Sequence, residues 1–91
     1  MELQKEKNRI FAVDNSGKLV AEITFPDAGN GLVDIDHTFV DDSLRGQGAA
    51  GQLVEAAAKQ IASDGKKARI TCSYAVKWFE KHEEYRDILA D

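Results

Sequence analysis

Hydrophobic and polar side chains alternate along three stretches in the first half of the chain. The stretches are residues 9–13, 19–25 and 33–39, and turn-forming residues separate them at 14–17 and 26–31. A period of two is typical of half-buried strands, and a short turn-rich connection between two such runs favours a hairpin. The pattern therefore predicts three strands, of which the first two form a hairpin and the third makes a second antiparallel pairing.

The second half of the chain changes to the period of a helix. Apolar residues recur every three to four positions between Gly48 and Asp64, which predicts a helix over that range. Residues 67–72 predict a short strand, and Ser73 stands where it would cap a final helix. Residues 1–7 are mostly polar, and we expect them to form a frayed lead-in.

The predicted order of elements is β-β-β-α-β-α. A helix that joins the third strand to the fourth makes those two strands parallel if they share a sheet. With 91 residues, the chain is long enough for one sheet with two helices on it and too short for a second core. The expected fold class is therefore α+β, with a mostly antiparallel sheet, a parallel last pair of strands, and residues 1–91 in one domain.

Charge and cysteine content narrow the classes of function. Twelve Lys and Arg stand against sixteen Asp and Glu, a net charge of −4 without a dense basic block, so we expect no nucleic-acid partner. No apolar run approaches the ~20 residues of a membrane span, and we expect no membrane partner. The single cysteine excludes an intramolecular disulfide and a cysteine-based zinc site, and we expect no metal. The N-terminus is not typical of a signal peptide, so the expected location is the cytoplasm.

A glycine-rich turn joins the third predicted strand to the first helix. Its sequence is Leu44-Arg45-Gly46-Gln47-Gly48-Ala49-Ala50-Gly51. The first N–H groups of a helix are unpaired and carry partial positive charge, and small residues let the oxygens of an anion approach the backbone. A phosphate or pyrophosphate would suit this turn, although the same glycines also suit a tight turn that binds nothing. The run matches neither a P-loop nor a Rossmann fingerprint.

The segment Arg45–Ala50 resembles the Arg/Gln-x-x-Gly-x-Gly/Ala motif of the Gcn5-related N-acetyltransferases. Further motifs follow in the order of that superfamily's minimal single-domain group: His37-Thr38-x-Val40 before the turn, then Cys72-Ser73-Tyr74 and Lys81-His82-x-x-Tyr85. The resemblance extends from Arg9 to Leu89. Ile70 and Glu83 depart from it, because prolines are frequent at those positions of the group.

The resemblance implies acetyl-CoA as the co-substrate and transfer of its acetyl group to an amine, on a small molecule or a protein. It also implies a splay between the third and fourth strands that admits the pantetheine arm. The residues that it implies for cofactor contact are Phe39, Val40, Leu44, Arg45, Gly46, Gln47, Gly48, Ala49, Ala50, Gly51, Ser73 and Tyr74, with Asp41 and Cys72 beside them.

Two side chains near the splay are the catalytic candidates. Cys72 could attack the thioester as a thiolate and form an acetyl-cysteine, or it could be a small buried apolar residue. The group to which the resemblance points has a proposed catalytic cysteine there. His37 is expected on the core face with Ile35 and Phe39, either as a satisfied core histidine or as a general base that acts on the amine or on Cys72. His82 is expected to be structural or to lie at the ligand rim.

Several other residues admit two interpretations. Lys77 and Lys81 could join Arg45 in meeting phosphates, or could be solvated surface charges. Tyr74 could protonate the leaving thiolate or could form a wall of the pocket. The acidic stretch around the third strand could attract a cationic amine or could be a solvated strand face. Two further functions stay open: a coenzyme A-binding module without catalysis, and a protein-interaction domain on the same fold.

Overall fold

Four antiparallel strands form the larger of two sheets in a computed structural model that describes residues 1–90. The strands are β1 (Gln4–Glu6), β2 (Arg9–Val13), β3 (Leu19–Thr24) and β6 (His37–Val40), in the order β1-β2-β3-β6. The predicted hairpin between β2 and β3 and the antiparallel pairing of β3 with β6 are confirmed. The N-terminal residues, expected to be frayed, instead include β1, which pairs with β2 through Lys5 and Ile10.

Three strands form the smaller sheet, in the order β4-β5-β7. They are β4 (Asp27–Gly29), β5 (Leu32–Ile35) and β7 (Lys67–Ile70). Strands β5 and β7 run parallel, as the helical crossover between them predicts. The region 26–31, predicted only as a turn, includes β4, which pairs antiparallel with β5.

The third predicted strand is broken at Asp36, and this break changes which side chains face the core. The N–H of Asp36 donates to the Thr24 carbonyl at 3.3 Å, and β5 and β6 on either side belong to different sheets. Because one residue is inserted, the alternation of side chains slips by one position. Ile35 is buried before the break, but the side chain of His37 after it is 52% exposed. The expectation that His37 lies on the core face is therefore wrong.

Two α-helices and two 3₁₀ segments complete the fold. Helix α1 spans Ala49–Ser63, close to its predicted range, and α2 spans Ser73–Lys81. Cys72 is the N-cap of α2, so Ser73 is the first helical residue rather than the cap that the sequence predicts, and β7 ends before Cys72. The 3₁₀ segments are Asp42–Leu44 and Glu83–Ile88.

The core lies between the sheets and the helices. Helix α1 packs on β2, β3 and β6, while α2 packs on α1 and β7. The largest fully buried side chains are Phe25, Ile10, Ile23, Ile35, Leu53, Ile61, Val33 and Val54. The opposite face of the larger sheet, here called the outer face, presents the side chains of Arg9, Phe11, Glu22, His37 and Phe39. Within residues 1–90 neither α-helix packs against it.

Candidate functional site

A gap opens between β6 and the segment that follows β7. Strands β5 and β7 stay paired as far as Ile35 and Ile70. The Ile35 carbonyl then accepts the N–H groups of both Thr71 and Cys72, each at 3.1 Å. Beyond this point β6 follows β3 in the larger sheet, while the chain from Cys72 enters α2. The splay expected between the third and fourth predicted strands is therefore confirmed.

The backbone of β6 has an unpaired edge at this gap. The strand is the last one in its sheet, and the N–H of Asp41 donates to the Val20 carbonyl on the β3 side at 2.8 Å. Because main-chain groups alternate between the two edges of a strand, Thr38 and Val40 direct theirs into the gap. Phe39, expected from the sequence to line the cofactor, pairs with β3 and turns its side chain to the outer face. Thr38 therefore lies at the gap, where the resemblance implied Phe39.

The glycine-rich turn enters α1 through two left-handed backbone positions. Gly46 has a φ of 81° and Gly48 a φ of 71°, a conformation that costs a residue with a side chain about 1–2 kcal/mol. Gly48 is the N-cap of α1, and among residues 1–90 no side chain caps this end of the helix. The N–H groups of the first turn, Ala49–Gly51, consequently have neither an intrahelical acceptor nor a side-chain cap.

Local hydrogen bonds hold the approach to the turn. Asp41 caps the 3₁₀ segment by accepting the Ser43 N–H at 3.0 Å. Hydrogen bonds from the Ser43 hydroxyl and N–H lower the pKa of the Asp41 carboxyl below its ordinary value. The Arg45 guanidinium lies 2.8 Å from the carboxylate of Asp42, and both side chains are exposed. The backbone of the turn is thus fixed, while its cationic side chain stays at the surface.

One cavity of about 280 Å³, here called the turn cavity, joins the turn to α2. Its lining residues are Val40, Asp41, Asp42, Leu44, Arg45, Gly46, Gly48, Ala49, Ala50, Gly51 and Tyr74. Three residues that the resemblance implies for cofactor contact are not among them: Phe39, which faces the outer side of the larger sheet, Gln47 and Ser73. Gln47 directs its side-chain amide to the Ser43 carbonyl at 3.4 Å, and Ser73 lies exposed at the start of α2.

A second cavity of about 350 Å³, here called the helix cavity, lies beside the first. Its lining residues are Gly48, Gly51, Tyr74, Lys77, Trp78, Lys81 and His82, and the first three also line the turn cavity. A Cβ on Gly51 would lie 3.4 Å from the indole nitrogen of Trp78, an ordinary contact distance, so α1 and α2 approach closely here. The His82 ring stacks on Trp78 with centroids 3.9 Å apart. Lys77 and Lys81 thus share a cavity with an aromatic stack.

Cys72 lies at the gap, half-buried and packed against the core. Its thiol donates a hydrogen bond to the Thr38 hydroxyl, with 3.4 Å between Sγ and Oγ1. The sequence did not single out Thr38 as a functional residue, although it stands in the motif His37-Thr38-x-Val40. The shift in alternation at Asp36, which turns Thr38 toward Cys72, is the reason that strand periodicity missed it.

His37 lies on the outer face, away from Cys72. Its Nε2 is 3.5 Å from Glu22 Oε1, and Arg9 Nε is 2.6 Å from Glu22 Oε2. Hydrogen bonds to Glu22 and then to Glu6 raise the pKa of the Arg9 guanidinium. Since adjacent side chains of a strand point to opposite faces, His37 points away from the side on which Thr38 meets Cys72. Within residues 1–90, the two catalytic candidates therefore have different partners and do not form a hydrogen-bonded pair.

Neither a metal-binding cluster nor a membrane-spanning helix is present among the described residues. Across residues 1–90, no group of three or more His, Cys, Asp or Glu side chains is arranged to hold a metal ion. No helix in this part of the chain combines the length and apolarity needed to cross a bilayer.

Known proteins share both the sequence pattern and the fold. Proteins named NATD1 from Gallus gallus and Mus musculus are each 34% identical over 62 residues, which are 68% of this chain and 56% of theirs. The match thus spans little more than half the length of those two relatives. NATD1 from Xenopus tropicalis is 34% identical over 77 residues, which are 84% of this chain and 71% of that protein.

Solved structures of acetyltransferases have the same arrangement of strands and helices. A GCN5-like protein from Staphylococcus aureus superposes with a TM-score of 0.80 and 31% identity, over 98% of this chain and 87% of that one. An acetyltransferase from Bacillus cereus shares the fold at a TM-score of 0.67 and 21% identity, over 81% and 54% of the two chains. The sequence profile described as GCN5-related N-acetyl-transferase matches residues 9–88. The chain therefore belongs to the GCN5-related N-acetyltransferase family.

Proposed function

We propose that this protein binds acetyl-CoA and transfers its acetyl group to an amine. The observation that carries the proposal is the turn cavity, because one cavity is lined both by the uncapped N-terminus of α1 and by Tyr74. Tyr74 follows Cys72 by two residues, and Cys72 lies at the gap beside β6. A cofactor bound with its anionic part at the turn would thus extend toward the only thiol of the chain.

The diphosphate would bind at the turn. Main-chain N–H groups from Gly48 to Gly51 carry partial positive charge at the start of α1, and this charge favours a bound anion. The positive φ of Gly46 and Gly48 supports the proposal, since each bends the backbone without a Cβ near the phosphate oxygens. Arg45 would add a charge at the rim, exchanging its contact with Asp42 for one with the diphosphate.

The nucleotide end would occupy the helix cavity. Lys77 and Lys81 supply two cationic groups there, and an adenosine bearing a 3′-phosphate needs such a charge nearby. Trp78 and His82 form the aromatic part of the lining, beside which a purine ring can pack. The two cavities share Gly48, Gly51 and Tyr74, so one ligand can span both.

The pantetheine arm would follow the unpaired edge of β6. Its amide groups could pair with the main-chain groups that Thr38 and Val40 direct into the gap, as an added strand pairs with a sheet edge. This path ends beside Cys72 and the N-terminus of α2. The partial positive charge at that helix end favours negative charge on a sulfur atom next to it.

In direct transfer, the amine nitrogen attacks the thioester carbonyl. A carbon–nitrogen bond forms, the carbon–sulfur bond breaks, and the electron pair leaves with the coenzyme A sulfur. His37 would take the proton that the amine loses, and the phenol of Tyr74 would give a proton to the leaving thiolate. Tyr74 is 42% exposed and lines both cavities, which suits a group that regains its proton from solvent.

In transfer through an acetyl-cysteine, the Cys72 thiolate attacks first. A new carbon–sulfur bond forms to Cys72 as the bond to coenzyme A breaks, and the amine then attacks this second thioester and releases the thiol. The separation of His37 from Cys72 favours direct transfer, because no base contacts the thiol among residues 1–90; its partner is the Thr38 hydroxyl.

The proposal also covers the size of the functional domain, its location in the cell and the acceptor amine. We propose that residues 1–91 act as one acetyltransferase domain, since the family profile covers residues 9–88. A reducing compartment such as the cytoplasm would keep the free thiol of Cys72 available. The acceptor would be a cationic amine, drawn to an acidic chain.

Titration with acetyl-CoA tests the binding step. We expect the amide resonances of Gly46, Gly48 and Ala49 to shift, while Gly65 and Gly17, which lie in other positive-φ turns, do not. Gly65 is the better control, because it also lies in a positive-φ turn of α1 but at the C-terminal end of that helix. Unmoved turn resonances at saturating acetyl-CoA would refute the proposal.

Turnover with a panel of primary amines tests the chemistry. A polyamine, a lysine-containing peptide and an aminosugar would be offered with acetyl-CoA, and free coenzyme A would be measured. His37→Ala should slow transfer and Cys72→Ala should not if transfer is direct. An adduct of about 42 Da on Cys72 would instead indicate the acetyl-cysteine route. Binding without turnover across the panel would favour a non-catalytic coenzyme A-binding module.

A further inference from the structure

Three charged or titratable side chains form a chain across the outer face. Arg9 on β2, Glu22 on β3 and His37 on β6 come from three neighbouring strands. One Glu22 oxygen lies 2.6 Å from Arg9 Nε, and the other lies 3.5 Å from His37 Nε2. The carboxylate thus bridges a permanent cation and the imidazole.

Glu22 is held more firmly than its position on an open sheet face would suggest. Its side chain is 18% exposed, whereas that of His37 is 52% exposed. The strand register places Phe11 on one side of Glu22 and Phe39 on the other. The Arg9 guanidinium, in turn, lies 4.0 Å from the centroid of the Phe11 ring, which orients it for Glu22. A carboxylate held on both sides can determine how the exposed imidazole beside it is oriented.

We propose that Glu22, anchored by Arg9, is the positioning residue for His37, and that the proton leaving the acceptor amine is taken at His37 Nδ1. This inference rests on the proposed function, in which His37 is the base. It also implies that the amine reaches the thioester from the outer face, across the edge of β6 along which the pantetheine arm is proposed to lie.

The hydrogen-bonding capacity of the two groups supports this assignment. An ionised carboxylate only accepts, so a neutral imidazole that donates to Glu22 has its proton on Nε2 and keeps the lone pair on Nδ1. When Nδ1 accepts the proton of the amine, the ring becomes an imidazolium whose charge lies next to Glu22. The Arg9 guanidinium, 2.6 Å from the other Glu22 oxygen, stays paired with this carboxylate as the imidazolium forms.

The motion of the His37 ring tests the positioning step without any need for turnover. Glu22→Thr keeps a residue that favours strands but removes the reach to both Arg9 and His37. We expect carbon-13 relaxation to show a more mobile His37 ring in this variant and an unchanged ring of His82, the other histidine. Glu6→Gln is the matched control, since Glu6 contacts Arg9 at 3.2 Å but not His37. Equal ring order in wild type and Glu22→Thr would overturn the inference, and Glu22→Val, which also favours strands and cannot reach Arg9 or His37, repeats the test if Glu22→Thr loses the native amide spectrum.

A double-mutant cycle tests the catalytic consequence. With the best amine of the panel, Glu22→Thr should lower kcat about tenfold and leave the KM for acetyl-CoA unchanged. In a His37→Ala background the same change should have no further effect, because Glu22 acts through His37. An additive loss would overturn the inference while the proposed function stands. If no amine reacts even in wild type, the proposed function fails, and the inferred proton transfer fails with it even if the ring measurement confirms the contact.

Discussion

Cys72 and Thr38 meet across the gap in the sheet, with the thiol donating to the hydroxyl over 3.4 Å. The two residues belong to different sides of the gap, since Thr38 lies on β6 and Cys72 is the N-cap of α2. The same hydroxyl can rotate and donate to a thiolate, because a threonine hydroxyl is both donor and acceptor. This contact therefore holds the sulfur in either protonation state, at the end of the proposed pantetheine path.

Replacing Thr38 tests the importance of that contact. Thr38→Val keeps the shape of the side chain and removes the hydroxyl, so we expect alkylation of Cys72 by a neutral reagent to change rate about fivefold, the equivalent of one neutral hydrogen bond. Thr38→Ser keeps the hydroxyl and should stay within twofold of wild type, by the same reasoning. The measurement is the rate of Cys72 modification by mass spectrometry. Equal rates in both variants would show that the hydroxyl does not control the sulfur.

The order of elements follows from hydrophobic periodicity, but the break at Asp36 does not. Residues 33–39 keep one continuous alternation in sequence. The run is broken in the structure because its first part pairs with β7 and its last part pairs with β3. Strands β1 and β4 escape prediction for a related reason. Each has three residues, all exposed, so neither carries an apolar pattern that periodicity could detect.

The glycine-rich turn of the candidate site was predictable because its conformation depends on neighbouring residues. The side-chain contacts between strands were not, because they depend on the tertiary structure. Glycines at the start of a helix predict a tight turn that could also bind an anion, and the structure places Gly46 and Gly48 in left-handed conformations there. The contact between Glu22 and His37 joins residues fifteen positions apart on separate strands. No local signal contains that pairing, because it depends on the register of β3 against β6.

Two glycines near the turn should respond oppositely to alanine. Gly48 has a φ of 71°, so Gly48→Ala should destabilise the fold by about 1 kcal/mol. Gly51 lies inside α1, and its added Cβ would make an ordinary contact 3.4 Å from Trp78 Nε1, so Gly51→Ala should stabilise by up to about 1 kcal/mol. Both variants should weaken binding of acetyl-CoA. Gly48→Ala would change the backbone of the turn, and Gly51→Ala would narrow the wall shared by the turn cavity and the helix cavity.

Thermal unfolding and calorimetric titration would measure these two effects. The decisive comparison is the direction in which Tm moves. If both variants shift Tm the same way, the assignment of strain to Gly48 and of helix propensity to Gly51 is wrong. If acetyl-CoA binds both variants as tightly as wild type, the glycines do not line its site.

The cap that the Asp41 carboxylate forms on the 3₁₀ segment Asp42–Leu44 should be lost at low pH. Hydrogen bonds from Ser43 hold the pKa of Asp41 below its ordinary value of 3.8. A carboxyl with a depressed folded-state pKa contributes stability that is fully present above the ordinary value and is lost as pH falls through the lowered one. We therefore expect hydrogen-exchange protection of the Ser43 amide to hold above pH 3.8 and to decline below it.

A variant isolates the group responsible for that decline. Asp41→Asn cannot change charge, so protection of the Ser43 amide in it should not vary from about pH 5 to about pH 2 beyond any general loss of the fold. Amides in the middle of α1 report that general loss in the same spectra. A wild-type profile as flat as that of the variant would contradict the prediction.

Two lysines of α2 should distinguish coenzyme A from its dephosphorylated form. Lys77 and Lys81 line the helix cavity, where the proposal puts the adenosine 3′-phosphate. Removing both charges in Lys77→Ala/Lys81→Ala should weaken coenzyme A binding about tenfold, the equivalent of a weak charge-assisted contact. Binding of dephospho-coenzyme A, which lacks the 3′-phosphate, should not change. Lys59→Ala is the matched control, because Lys59 is an exposed lysine of α1 that lines neither cavity.

Salt adds a second criterion to the lysine comparison, since exposed charges are screened at higher ionic strength. The preference of the wild type for coenzyme A over the dephosphorylated form should therefore shrink as salt rises, and the double variant should show little preference at any salt concentration. Equal weakening of both cofactors in the double variant would mean that the lysines act on the diphosphate or the adenine rather than on the 3′-phosphate. In that case the nucleotide end would have to bind with its 3′-phosphate elsewhere, and Arg45 at the rim of the turn cavity would be the next cation to replace.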